Sequence, residues 1–356
     1  WLVGTALVHS IAATEKRGVF RSWTLLLAIF AFSLSLLGTF LVRSGILTSV
    51  HAFASDPERG VFILAFLAMV IGGSLLLFAL RGPAMHKAAG YGAWSREMML
   101  LVNNILLVSS MAMILVGTLY PLLADVLDLG KISVGPPYFD FFFVPLMSGL
   151  ALSVGFAAFT RWKKTDASLL LSKGVVPGLI SVVAALLLPL FLAPQMSWES
   201  YSFGAVFTLI LFFWVVTMTV KDLADKLGGK LSRIGRLSGS YWGMVCAHIG
   251  LAVCILGVGL SSIYDDPIDV RMMPGDTAQV AEYEIEFAGV EQVQGPNFIA
   301  YRGQINVQSE SGFSTVMLPE KRNYKAGGQV MTEAAIDAAL SRDLYVSLAE
   351  PLAGQA

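Results

Sequence analysis

The chain has 356 residues, of which 56% are hydrophobic and only 14% are charged, with a formal net charge of −1. A soluble globular protein carries about 25% charged residues, so this composition excludes an ordinary soluble enzyme and predicts a polytopic membrane protein. No Walker, Rossmann or Ser/His/Asp signature is present, and we expect no nucleic-acid partner. Trp1 already lies in an apolar run with no starting Met, so we expect a longer parent protein.

Eight apolar segments follow one another, most of them near the roughly 20 residues that a helix needs to cross a bilayer. We predict a shortened first span at 1–13, followed by spans at 23–42, 60–80, 98–123, 141–159, 175–193, 202–220 and 240–260. The fifth to seventh boundaries are the least defined, because Pro145, Pro177 and Pro189 can kink a helix. Residues 1–260 therefore form an all-α membrane domain of about eight transmembrane segments.

The distribution of basic residues predicts how these spans are oriented. The loops at 14–22, 81–97, 161–174 and 221–239 hold 3, 3, 4 and 5 lysine and arginine residues. The alternate loops hold only Arg43, Arg59 and Lys131. Since basic loops stay on the cytoplasmic side, we predict that His51 and the chain after residue 260 lie on the outer side of the membrane.

Residues 261–356 differ in character from the rest of the chain. They carry a net charge of −8, whereas residues 1–260 carry +7. Apolar Tyr283, Ile285 and Phe287 alternate with glutamates, and Ile305 and Val307 alternate with polar residues in the same way. This period of two is typical of half-buried strands. We therefore predict a soluble, mostly-β domain over 261–356 on the outer surface of the membrane.

Two of the four histidines lie inside apolar spans, where an ionisable side chain is costly and marks a functional site by default. At 1.5 Å per residue, His9 lies about 9 Å and His248 about 12 Å from the same face of the membrane. Two imidazoles at matched depth could ligate one haem iron from both sides. We expected Gly4, Gly250 and Gly257 to leave room for the macrocycle. The alternative is that each histidine only hydrogen-bonds a neighbouring helix.

The other ionisable residues give weaker signals. His51 lies in an outer loop and is either a ligand for a second, outer haem or an ordinary exposed histidine. His86 lies in a basic loop, where we predict a solvated side chain. Cys246 and Cys254 are eight residues apart, which matches neither a redox motif nor a metal-ligand spacing.

Polar residues in the fourth span are open to two interpretations. Asn103 and Asn104, together with the segment 117–121, could line a cavity or hydrogen-bond neighbouring helices. The predicted span interiors contain no Asp or Glu, which argues against a proton-coupled transporter with a carboxylate relay.

Several segments together carry a resemblance to a known family. They are Ala6–Ser10, Thr14–Gly18, Gly38–Phe53, Asn103–Leu106, Gly117–Leu122, Leu318–Tyr324, Met331–Ile336 and Leu344–Leu348. They resemble CcmF, a bacterial inner-membrane component of the cytochrome c maturation system and a member of the haem-handling protein superfamily. The resemblance covers essentially the whole chain, and the Gly38–Phe53 segment is long and specific.

The resemblance implies a holocytochrome c synthase, or cytochrome c haem lyase. Such a protein takes haem from the chaperone CcmE and joins its vinyl groups to the CxxCH thiols of apocytochrome c. CcmH-type subunits handle the apocytochrome, and membrane quinol is a possible electron donor. By motif position, His9 and His248 match the two axial ligands of a b-type haem. His51 matches the second of two periplasmic histidines at the outer haem.

The chain departs from the family pattern in one respect. The tryptophan-rich WGGxWxWD segment and the first periplasmic histidine are absent, and we expect both to precede residue 1. This segment alone is therefore not expected to perform ligation. Two alternatives to a lyase are a haem transporter or exporter, in which His9 and His248 bind haem transiently, and a structural scaffold of a maturation complex.

Overall fold

The computed structural model describes residues 1–44, 57–82, 90–130, 132–192, 202–265, 267–325, 330–339 and 342–349. Within these ranges a helical region is followed by a β-rich region. By spatial contacts the chain divides into two compact units, Trp1–Phe40 with Val61–Tyr264, and Leu41–Gly60 with Asp265–Ala356. The predicted class, a helical membrane protein with a C-terminal mostly-β domain, is confirmed.

Eight α-helices occupy the positions predicted for the eight apolar spans. They are α1 Leu2–Arg17, α2 Arg21–Arg43, α3 Pro57–Arg81, α4 Arg96–Val126, α5 Pro136–Ala157, α6 Ala167–Leu192, α7 Phe203–Leu227 and α8 Gly239–Tyr264. In the described part of the chain, the seven helices α2 to α8 are long and apolar enough to cross a membrane. Helix α1 has 16 residues and is the shortest of the eight.

Most of the helices extend beyond the predicted apolar spans because polar residues and glycines complete their ends. The Ser95 and Ser202 side chains cap the starts of α4 and α7 by accepting backbone N–H groups. Gly18 and Gly228 end α1 and α7 in the left-handed conformation, at φ of 69° and 55°. Only glycine adopts this conformation without steric cost, so both ends are fixed by sequence.

The prolines that made the fifth to seventh boundaries uncertain lie inside continuous helices. Pro145 is within α5, and Pro177 and Pro189 are within α6. Interior proline is tolerated in membrane helices because neighbouring groups satisfy the freed backbone carbonyls. The Ser181 hydroxyl donates to the Pro177 carbonyl at 2.7 Å, one turn after the proline, whereas the carbonyl that Pro177 leaves without its helical donor is that of Lys173.

The helices of the membrane unit pack in a series. Helix α1 packs on α4, α4 on α5, α5 on α7, and α7 on both α6 and α8. Trp214 is the largest buried anchor of α7, and its indole N–H donates to the Leu152 carbonyl of α5 at 3.2 Å. Helices α1 and α8, which carry His9 and His248, are therefore at opposite ends of the α1–α4–α5–α7–α8 series.

Eight strands are present in the described part of the C-terminal region. They are β1 Thr277–Val280, β2 Tyr283–Gln294, β3 Phe298–Ser309, β4 Ser314–Met317, β5 Glu320–Tyr324, β6 Val330–Glu333, β7 Ala335–Ala338 and β8 Asp343–Val346. One antiparallel sheet has the order β1-β2-β3-β5-β6, with β4 also paired to β3, and β7 pairs with β8 in a second sheet.

The predicted strand alternation is confirmed. Ile285 of β2 pairs with Val307 of β3, and Phe287 pairs with Ile305. Val307 and Ile305 are buried in one apolar cluster that also includes residues of β7 and β8, so the two sheets share a core. The register shifts after Phe287, where Gly289 has a φ of 132° that suits a β-bulge.

Candidate haem-binding site

His9 is a half-buried residue of α1 whose ring orientation is set by its own helix. Its Nδ1 lies 2.8 Å from the carbonyl oxygen of Thr5, one turn earlier. A carbonyl can only accept, so Nδ1 carries the proton and Nε2 is left with its lone pair. A backbone partner on one ring nitrogen is the usual way in which a protein prepares the other nitrogen to bind a metal.

His248 is half-buried in α8. Helices α1 and α8 are at the two ends of the packing series, and within the described ranges they share no extensive interface. The assignment of His9 and His248 to one haem therefore stays a prediction.

The immediate neighbours of His9 are small, which suits a flat macrocycle. Thr5, Ala12 and Ala13 lie one turn before and after it, on the same side of α1. The donor set is also suitable, since two neutral imidazoles are ordinary axial ligands of haem iron. The residues present thus fit a bis-histidine haem.

The space is open beside the three glycines that we expect to leave room for the haem. A Cβ atom built on Gly4, Gly250 or Gly257 would meet no described atom within 4 Å. At about 100° per residue, Gly250 and Gly257 lie roughly on the opposite side of α8 from His248. Their role beside a haem stays a prediction.

Asp222 is a buried carboxylate that sequence reasoning missed. The predicted span ended at residue 220, but α7 continues to Leu227, and Asp222 is only 4% exposed. It accepts hydrogen bonds from the Tyr241 hydroxyl at 2.7 Å and from Lys226 Nζ at 2.8 Å. Tyr241 lies on α8, two turns before His248. Asp222 follows the predicted span 202–220, so the absence of Asp and Glu from the predicted span interiors stands, and a longer estimate of α7 would have placed Asp222 in the helix.

A second buried carboxylate anchors the end of the His9 helix. Glu97, in the first turn of α4, is fully buried and accepts a hydrogen bond from Arg17 Nε at 3.0 Å. Its other oxygen accepts the backbone N–H of Lys163 at 2.9 Å. Through Arg17 and Lys163, Glu97 joins the start of α4 to the end of α1 and to the loop between α5 and α6.

The asparagine pair of α4 joins helices. Asn104 is fully buried and contacts both Ala6 of α1 and Trp23 of α2. The sequence left two interpretations open, and Asn104 fits the one in which the side chain hydrogen-bonds neighbouring helices.

The remaining candidate residues add no further site. His51 and His86 lie outside the described residues. Cys246 and Cys254 are free thiols on the exposed surface of α8. Among the described residues, no group of three or more His, Cys, Asp or Glu side chains could hold a metal ion.

Comparison with known proteins shows which proteins this chain resembles. Residues 263–356 match the family model described as the CcmF C-terminal beta-sandwich. The chain is 51% identical to the cytochrome c-type biogenesis protein CcmF of Pseudomonas aeruginosa, over 99% of this chain and 53% of that protein. It is 46% identical to CcmF of Escherichia coli, again over 99% of this chain and 53% of the relative.

A solved structure, titled Cytochrome c Heme Lyase CcmF, shares the fold with a TM-score of 0.69 at 18% identity. The match covers 96% of this chain and 50% of the chain of the solved structure. Fold and sequence together define the class, a multi-pass membrane protein with a C-terminal β-sandwich. The chain is similar to CcmF proteins of cytochrome c-type biogenesis, and it spans about half the length of the curated relatives that it matches.

Proposed function

We propose that the full-length protein containing this chain is a cytochrome c haem lyase, acting within a maturation complex. Its substrates are haem delivered by the chaperone CcmE and an apocytochrome c presented by CcmH-type subunits. In the reaction a CxxCH thiol adds across a haem vinyl group. A carbon–sulfur bond forms, and the thiol hydrogen passes to the other vinyl carbon, so the addition needs no oxidant.

The observation that supports the proposal is the ring orientation of His9, whose Nδ1 lies 2.8 Å from the Thr5 carbonyl oxygen and so leaves Nε2 available to a metal. With His248 predicted at a similar depth, two intramembrane imidazoles suit a resident b-type haem. That haem would supply one-electron chemistry, reducing the substrate haem iron with electrons from membrane quinol. This part of the proposal explains why both histidines lie at similar depth.

The roles of the chain's own residues follow from their positions. His9, with its proton on Nδ1, would hold the haem through Nε2 together with His248. Asp222 accepts a hydrogen bond from Tyr241, two turns before His248 on α8, and its negative charge would favour the oxidised over the reduced iron. His51 would bind the substrate haem at the outer face, where positioning of vinyl and thiol can supply roughly 7–11 kcal/mol of the barrier.

The compartment is part of the same proposal. The four basic loops predict that the β-rich domain is on the periplasmic side of the inner membrane. Its net charge of −8 over residues 261–356 favours encounter with basic partners.

The test is haem attachment by the full-length protein in a reconstituted maturation complex, with wild type compared with His51→Ala and His86→Ala. We expect His51→Ala to abolish thioether product while keeping the resident b-haem, and His86→Ala to match wild type. A protein that releases its haem to a trap and forms no thioether would instead be a haem exporter, and the lyase proposal would be rejected.

A further inference from the structure

The direction of the His9 ring depends on how α1 is rotated about its axis. The packed face of α1 is formed by buried residues at one-turn spacing, among them Ala6, Ser10 and Ala13. At about 100° per residue, His9 lies roughly 60° to one side of Ala6, at the margin of this face. A modest rotation of α1 would therefore turn the His9 imidazole in another direction, so contacts with neighbouring helices must fix the rotation of α1.

Asn104 of α4 is placed to do so. Its side chain is fully buried, and its amide lies between an acceptor and a donor. The Ala6 carbonyl can only accept and the Trp23 indole N–H can only donate, so the amide nitrogen faces Ala6 and the oxygen faces Trp23. In this orientation the two distances are 3.1 Å to the Ala6 oxygen and 3.2 Å to Trp23 Nε1.

A second polar contact holds α1 against α2. The buried Ser10 hydroxyl lies 2.7 Å from the Thr24 hydroxyl, which is also 2.8 Å from that of Thr14. Ser10 directly follows His9, and Ala6 lies three residues before it. The rotation of α1 is thus fixed on both sides of the histidine, by α4 at Ala6 and by α2 at Ser10.

We propose that Asn104 is a positioning residue for the resident haem, holding α1 in the rotation that directs His9 Nε2 at the iron. It acts through the Ala6 carbonyl and does not touch the haem ligand itself. This inference rests on the proposed function, because it takes His9 to be an axial ligand. Ligating groups must be held within about 0.5 Å and 10–20° of their productive geometry, which makes such a contact consequential.

The test uses the full-length protein with Asn104→Leu, which nearly preserves volume and removes both hydrogen bonds. Ser110→Ala is the matched control, since Ser110 is equally buried in α4 but donates only to Leu106 of its own helix. The measurements are b-haem content, the proportion of low-spin six-coordinate iron, and the melting temperature, each with and without added imidazole.

We expect Asn104→Leu to fold, to retain haem about 10-fold more weakly, and to shift the iron toward the high-spin form. Added imidazole should restore the low-spin spectrum, because it replaces a displaced ligand, whereas a general loss of packing would not respond. Ser110→Ala should match wild type. A folded Asn104→Leu protein with wild-type haem content and spectrum would overturn the inference.

Two further variants keep the outcome decisive. If Asn104→Leu does not accumulate, Trp23→Phe removes one partner of the same amide. A smaller shift toward high-spin iron would support the inference, and an unchanged spectrum would reject it.

His9→Ala separates this inference from the proposed function. If His9→Ala keeps its haem, the ligand pair itself is rejected. If His9→Ala loses its haem while Asn104→Leu is unaffected, only the positioning role of Asn104 is rejected.

Discussion

Arg17 and Glu97 form an ion pair, at 3.0 Å between Nε and Oε1, that ties the end of the His9 helix to the first turn of α4. The carboxylate is fully buried, whereas the Arg17 side chain is 24% exposed. A buried carboxylate that loses its partner is costly, so the pair constrains where α1 ends.

We predict that Arg17→Leu destabilises the full-length protein by about 1–3 kcal/mol, because it leaves the Glu97 carboxylate buried and short of one partner. Lys16→Leu, at the exposed neighbouring position, is the control and should have little effect. Thermal unfolding in detergent would measure both. The double variant Arg17→Leu with Glu97→Leu should be less damaged than the sum of the single changes, and strict additivity would argue against a coupled pair.

Asp222 should tune the redox potential of the resident haem. Asp222→Asn removes a negative charge that is hydrogen-bonded to Tyr241, two turns before His248 on α8, so the reduced iron becomes relatively favoured and the midpoint potential rises. A shift on the order of tens of millivolts is expected for a unit charge acting through protein. Spectroelectrochemical titration would measure it.

The control for Asp222 is Asp225→Asn, one turn later on α7. Asp225 is more exposed and pairs with Lys173 at 2.7 Å. It should leave the potential nearly unchanged. Equal shifts in the two variants would show that Asp222 has no particular relation to the haem.

Gly155 of α5 is required by the close approach of Trp214. A Cβ atom at this position would lie 2.6 Å from Trp214 Cε2. We predict that Gly155→Ala destabilises the protein by about 1–3 kcal/mol, because overpacking forces either the ring or the helix to move. Gly72→Ala in α3 is the matched control, since its Cβ would meet no described atom within 4 Å. A similar melting temperature for both variants would contradict this packing.

Glu320 should make the β-rich domain sensitive to acid. Burial raises the pKa of this carboxyl, but hydrogen bonds and charges from Arg322 and Arg302 outweigh it, so the folded-state pKa lies below the ordinary value. A lowered pKa stabilises the fold at pH values above the ordinary pKa, and this stability is lost as pH falls through the folded value. Near neutral pH the contribution is fully present.

We therefore predict that the protection of β3 and β5 amides against hydrogen exchange, corrected for the intrinsic exchange rate at each pH, falls in the full-length protein between about pH 5 and pH 3. Glu320→Gln should exchange faster at neutral pH, with a loss of about 1–3 kcal/mol, and should show a weaker dependence on acid. An equally steep acid dependence in Glu320→Gln would assign the effect to another group.

The sequence was sufficient for the architecture because apolar length and strand alternation are strong local signals. All eight helices and the alternation in β2 and β3 follow from those patterns. The helix ends were less predictable, since α7 continues through the charged turn after residue 220. That extension is what places Asp222 inside the helix.

The candidate site was predictable only in part. His9 and His248 stand out by residue type, because an ionisable group at membrane depth is rare. The contacts that support them are different, since Asn104 and Thr24 are ordinary polar residues whose partners lie on other helices. Such pairings depend on tertiary packing, which no local pattern encodes.

The central claim is that His9 and His248 are the axial ligands of one resident haem. It is tested most directly by pyridine haemochrome quantitation of the full-length protein as wild type, His9→Ala and His248→Ala. The account predicts that each variant loses about one b-haem per protein, because a haem held by two imidazoles is weakly retained by one. Unchanged haem content in both variants would contradict the account.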